Sequence, residues 1–300
     1  MEDNEVKFLN KNDLNNNNNN DDDNEEIIKN IKINRKLIFA TIIYVIFQFV
    51  ISGFIAIFLA SIYSQTHQEV EYMELIKALS EAEFAKISEA YKGAYVLINC
   101  YTNFISYAVI FIFVVILCKE LFIEDFFKLI KRPKFYCIYI ILAAILFYGI
   151  SLLIDLGITN LVSSLLPADK SSVSQNQTVI EAMIKSENGW MICIMTMLLA
   201  PVIEEIVYRG LIFRLTKKYH IALSYALSII LFALPHMIST PIASVGFGIW
   251  LLQSIPYVTA GLFFSIIYHK SNYNIYSNII VHMFNNIMAV LQVYLIIIMR

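Results

Sequence analysis

Three short stretches of an otherwise apolar chain carry side chains able to do chemistry. The first reads Ala200-Pro201-Val202-Ile203-Glu204-Glu205-Ile206-Val207-Tyr208-Arg209-Gly210. Glu205 and Arg209 are four residues apart with the acid N-terminal, the favoured order for an ion pair on one helix face. Glu204 points about 100° away from that face. It is left without a local cationic partner and is suited to general acid/base work. Pro201 removes a helical hydrogen bond just before the pair and permits a kink. The second stretch, Phe232-Ala233-Leu234-Pro235-His236, contributes an imidazole. The third, His282-Met283-Phe284-Asn285-Asn286, places an imidazole and an amide on one face at i, i+4. A carboxylate with two imidazoles and an amide donor can activate water for hydrolysis, and can equally relay protons in ion-coupled transport.

The elements that must position these groups follow from composition. Of 300 residues, 58% are hydrophobic and only 15% charged, with a net charge of −2, against about 25% charged in soluble domains. Residues 1–36 hold 9 acidic and 6 basic side chains, 15 of the 46 charges in the chain. Such a composition excludes a soluble enzyme, a disordered protein and a nucleic-acid binder. The expected class is all-α: a polytopic transmembrane bundle of seven to eight spans with a disordered polar tail. That tail, residues 1–36, contains the run Asn15 to Asn20 followed by Asp21, Asp22 and Asp23, too little apolar area to offset ordering entropy. Runs near the roughly 20 residues needed to cross a bilayer fall at 37–63, 94–118, 135–158, 189–214, 221–238, 244–268 and 274–299. Residues 37–134 are read as two N-terminal spans with an extracytoplasmic loop, and 135–300 as the core that carries the three stretches. No internal repeat of the kind seen in many transporters is visible.

Basic residues set the orientation. Lys29, Lys32, Arg35 and Lys36, then Lys119, Lys128, Lys131, Arg132 and Lys134, then Arg214, Lys217 and Lys218, and finally Lys270, fall on one side of seven spans. The loop 64–93 carries three basic against six acidic residues. The positive-inside rule therefore puts the N-terminus in the cytoplasm of a multi-pass cell-membrane protein. Loop 64–93 shows helical spacing at Glu71–Leu75–Leu79 and Glu81–Ala85–Glu89. Measured from the basic edge at 1.5 Å per residue, Glu204, His236 and His282 lie ~20, ~24 and ~18 Å deep, one level reached from three spans. His67, His220 and His269 fall in loops or at edges and are read as solvated. Cys100, Cys118, Cys137 and Cys193 form no CxxC pair and are read as small buried hydrophobes.

Taken in order, Glu-Glu-x-x-x-Arg at 204–209, Phe-x-x-x-His at 232–236 and His-x-x-x-Asn at 282–286 resemble the three motifs of the CPBP family, the CAAX proteases and bacteriocin-processing enzymes (Abi, or type II CAAX prenyl endopeptidases). Ser174-Gln175-Asn176-Gln177 is similar to what precedes the first motif in many bacterial members. The resemblance implies a membrane-embedded endopeptidase acting on a membrane-anchored peptide or protein. In it Glu204 activates water, His236 orients or deprotonates that water, and His282 and Asn286 hold the scissile carbonyl, Asn286 donating to the oxyanion. Glu205 and Arg209 form the structural support. Two His and one Glu also make an acceptable zinc set with water as fourth ligand. If a metal is present, Glu204, His236 and His282 would hold it. Glu204 would then be lost as the free base, so glutamate-type catalysis without metal is favoured. The competing readings are a non-catalytic immunity or scaffolding protein of the same fold, and an ion-coupled transporter.

Overall fold

A computed structural model describes the backbone of residues 11–165 and 174–299, with side chains from Ile28 onward. Seven helices are long and apolar enough to cross a membrane: Ile28–Thr66, Glu89–Leu117, Pro133–Leu165, Gly189–Thr216, Ile221–Ile238, Phe247–Lys270 and Ile275–Ile298. They are numbered here as spans one to seven. Span four is the axis of the bundle: 72% of its most apolar window is buried, against 6–33% in the other six. The helix bearing Glu204, Glu205 and Arg209 is thus the one withdrawn furthest from the surroundings.

Residues 1–10 lie outside the described residues, but helix runs from Lys11 directly into span one, so no break occurs at Lys36. The reason is packing. Ile33 and Leu37 are buried, and the polar turns beside them are tied down by Lys29–Glu124 and Lys36–Glu120 ion pairs, each 2.5 Å. Arg214 at the end of span four donates to Asn30 Oδ1 at 2.9 Å.

The basic loop between spans two and three folds as an amphipathic helix, Lys119–Lys131. It buries Leu121 and Asp125 against the bundle. The Asp125 carboxylate accepts from the Ile275 N–H at 2.8 Å, and its carbonyl accepts from Asn274 Nδ2 at 2.7 Å. Asn274 Oδ1 in turn caps Ser277 N–H at 3.2 Å. The orphan donors that open span seven are therefore satisfied by an acid placed where the helix dipole favours it. Burial pushes the Asp125 carboxyl above its ordinary range, with Lys128 opposing.

At the opposite end, loop 64–93 is only partly helical. Tyr72–Ser80 is a helix that buries Leu75 and Ala78. The expected helix through Glu81, Ala85 and Glu89 is instead extended backbone around one short turn, Phe84–Lys86. Phe84 packs on Tyr95 with ring centroids 5.5 Å apart, a contact that residue-by-residue periodicity does not encode. Two other expectations are corrected. Cys137 is exposed, whereas the other three cysteines are buried. His269 is half-buried, bonded through Nδ1 to the Tyr225 hydroxyl at 3.0 Å and stacked on Tyr273, so it belongs to the packing between spans five and six.

Candidate active site

Span four is not a regular α-helix. Two π-helical segments, Met195–Leu199 and Ile206–Phe213, flank the α-helical turn Ala200–Glu205. Pro201 cannot donate to the preceding turn, and its ring crowds the carbonyl four residues back, so the ladder widens there. Carbonyls that leave the i−4 ladder find partners on neighbouring spans: Thr196 O accepts from Asn286 Nδ2 at 2.8 Å, and Tyr208 O from Ser228 Oγ at 3.2 Å.

The carboxylate of Glu205 is the hub of the buried network. Oε1 accepts from Arg209 Nη1 at 3.1 Å and from His282 Nδ1 at 2.9 Å; Oε2 accepts from Asn278 Nδ2 at 3.0 Å. Glu205 and Arg209 have no exposed side-chain surface. The second arm of the guanidinium donates to Gly261 O at 3.0 Å. Its faces lie against the rings of Phe232 and Phe264, 4.8 and 5.2 Å from their centroids. The aromatic of the second motif therefore covers the buried cation. Gly261 is required at this crossing, because a Cβ there would lie 3.1 Å from Ile229 Cα.

A carboxylate can only accept, so His282 carries its proton on Nδ1 and presents Nε2 to the other side. There it faces Glu204 Oε2 at 3.9 Å. That separation is too long for a direct hydrogen bond and short enough for one water to bond to both atoms. The imidazole is fixed in plane by Phe264, stacked at 4.4 Å. Glu204 itself is buried.

Glu204, His282, His236, Asn285 and Asn286 all line one cavity of about 830 Å³. His236 is stacked on Tyr257, with centroids 4.7 Å apart and ring planes within 3°. The Tyr257 hydroxyl meets Ser174 Oγ at 2.8 Å, and Ser174 to Gln177 form part of the cavity wall. Asn286 commits one N–H to Thr196 O and keeps a second.

The cavity therefore gathers all four expected reactive residues, and the supporting pair sits directly behind them. Among the described residues, no three His, Cys, Asp or Glu side chains form a group able to hold a metal.

Sequence reasoning passed over Asn278, Thr196, Tyr257 and Phe264. Asn278 was detectable: Asn274, Asn278, His282 and Asn286 recur every four residues, a polar stripe on one face of span seven. Thr196 acts through a carbonyl freed by the π segment, which has no side-chain signature.

The geometry defines a class: a multi-span helical membrane protein with carboxylate and imidazole side chains gathered in an internal cavity. Residues 186–288 match the family described as Type II CAAX prenyl endopeptidase Rce1-like. The matched stretch contains all three motifs and bears out the resemblance to the CAAX protease family. No curated protein and no solved structure matches the chain.

Proposed function

We propose that the chain is an intramembrane endopeptidase in which Glu204, not a metal, activates water. The observation that carries this reading is the pairing of Glu204 Oε2 with the free Nε2 of His282 across 3.9 Å at the inner end of the cavity. Water bonded to both gives its proton to Glu204 as its oxygen attacks the scissile carbonyl. The tetrahedral oxyanion takes the uncommitted N–H of Asn286, a neutral donor in a site shielded from bulk water, where such a bond is strongest. Protonated Glu204 then passes its proton to the departing amine. His236, held on Tyr257, borders the same space and orients the water or the peptide. Glu205 takes no part in the proton transfers. It fixes the tautomer and plane of His282, as the orienting acid does in other hydrolytic sites.

The substrate is a membrane-associated peptide or protein, since the cavity lies within the helical bundle. The test is reconstitution with a panel of lipid-anchored fluorogenic peptides. Glu204→Gln should lower cleavage by about 10²–10⁴-fold, the usual contribution of general acid/base catalysis, with unfolding temperature unchanged and with wild-type cleavage insensitive to a chelator. Cleavage that survives both Glu204→Gln and His282→Ala would refute the assignment.

A further inference from the structure

The two ends of the bundle differ in charge, and the cavity belongs to only one of them. At one end the basic segments meet: Lys29 and Lys36 pair with Glu124 and Glu120, and Arg214 reaches Asn30. Ser271 and Asn274 are tied to the same end by Tyr136 and Asp125. At the other end Gln175 N–H bonds Thr240 Oγ1 at 3.1 Å, and Ser244 bonds Glu83.

In every span that lines the cavity, the lining residues stop short of the basic end. Span four contributes residues from Met195 to Glu204 and none beyond; span seven contributes from His282 to Ile296 and none before. Spans five and six likewise stop at Phe232 and Phe264. Between this floor and the basic end lies a fully packed layer that includes Ile206, Phe213, Tyr268 and Ile275. The cavity therefore opens away from the basic end.

Its charge is one-sided as well. Among the described residues that line it, the ionised types are Glu81, Asp155, Glu181 and Glu204, with no Lys or Arg. Glu181 is bridged by Lys185 at 3.3 Å, whose side chain stays 40% exposed outside the lining. Asp155 has no ion pair among the described residues and is exposed within the cavity wall. Acidic side chains in a cleft with low-dielectric walls focus the field and raise the local concentration of cations.

Basic loops stay in the cytoplasm. We propose that the site draws its substrate from the extracytoplasmic side, as a positively charged peptide segment held at the outer membrane surface. The identity of that ligand as a substrate rests on the proteolytic reading above; the sidedness and the charge preference do not.

The test uses labelling and capture, so its failure is separate from failure of the hydrolytic mechanism. In a Cys137→Ser background, Thr159→Cys lies in the cavity wall and Lys218→Cys at the basic end. A membrane-impermeant maleimide should label Thr159→Cys in intact cells, and Lys218→Cys only after permeabilisation. The reverse pattern, or no labelling of Thr159→Cys before permeabilisation, overturns the sidedness. For charge, palmitoylated benzophenone peptides carrying either four Lys or four Glu are photo-crosslinked to the full chain in phosphatidylcholine vesicles. The Lys probe should be captured at least about tenfold more, by a preference that fades as salt screens it. The combined Glu81→Gln, Asp155→Asn and Glu181→Gln variant should bring the two probes within about twofold. Equal capture by wild type, or a preference that the triple variant or salt leaves intact, overturns it.

Discussion

Removing the Glu205 carboxylate should cost the fold more than any other single change in the site. Glu205→Ala leaves the Arg209 guanidinium, with no exposed surface, facing a void in place of its counter-ion. Breaking a buried pair from one side costs about 3–5 kcal/mol. The Gly261 carbonyl and the Phe232 and Phe264 rings remain against Arg209, but they are present in the wild type too and offset nothing in the difference. His282 Nδ1 also loses its acceptor, whereas Asn278 keeps the Phe264 carbonyl at 2.6 Å. An expected loss of about 4 kcal/mol is roughly a thousandfold change in the folded-to-unfolded ratio. The assay is reversible unfolding in mixed micelles of Glu205→Ala, Arg209→Ala and the double variant. Because each single change strands a charge and the double change strands none, the double should fall short of the sum by at least about 2 kcal/mol. Glu204→Gln, whose nearest charged-type partner is 3.9 Å away, should shift stability by less than about 1 kcal/mol. Additive singles, or a Glu205→Ala protein as stable as wild type, would refute the view that this pair organises the site.

Three further outcomes are expected. Gly261→Ala forces a Cβ to 3.1 Å from Ile229 Cα and 3.3 Å from Ile229 O; backbone cannot step aside, so thermal unfolding should register an overpacking cost of about 1–3 kcal/mol. Asn286→Ala removes the proposed oxyanion donor and the partner of Thr196 O, so turnover should drop about 10²–10³-fold while stability falls only about 1 kcal/mol; an unchanged rate would leave Asn286 a purely structural residue. Lys217, just past span four, has its pKa lowered to about 8, first by burial and then by Arg214 and Lys128, although its ammonium sits 3.3 Å from the Tyr273 ring centroid. A depressed folded value means the unfolded chain binds more protons above pH 8, so this group's stabilising share grows as pH rises towards its ordinary 10.5 and is lost as pH falls through 8; unfolding of wild type relative to Lys217→Gln across that window should show the slope.

The parts of this molecule legible in its sequence are those governed by solvent. Seven apolar runs became seven spans, all but the first close to their expected ends, because the length of an apolar helix is set by the bilayer and not by its neighbours. The pairing of Glu205 with Arg209 was equally local: with Arg209 four residues on, Glu205 and not Glu204 shares its face. What was hidden depends on partners far along the chain. The helix carried back to Lys11 is anchored by Glu120 and Glu124 in a different loop. The missing helix at Glu81 is overruled by Phe84 docking on Tyr95.

The role of His282 is the clearest instance of this divide. The family resemblance implied that His282 and Asn286 together hold the scissile carbonyl, and their spacing places both on one face of span seven. Packed against span four, the two residues part company along the polar stripe. Asn278 and His282 engage Glu205, while Asn286 reaches the carbonyl that the widened turn at Met195–Leu199 releases. A regular helix in span four would keep that carbonyl in its own ladder, and Asn286 would have no second anchor. The widened turn beside Pro201 thus sets the depth at which the amide sits relative to Glu204, so the placement of the proposed oxyanion donor is written in span four as much as in the third motif that carries the asparagine.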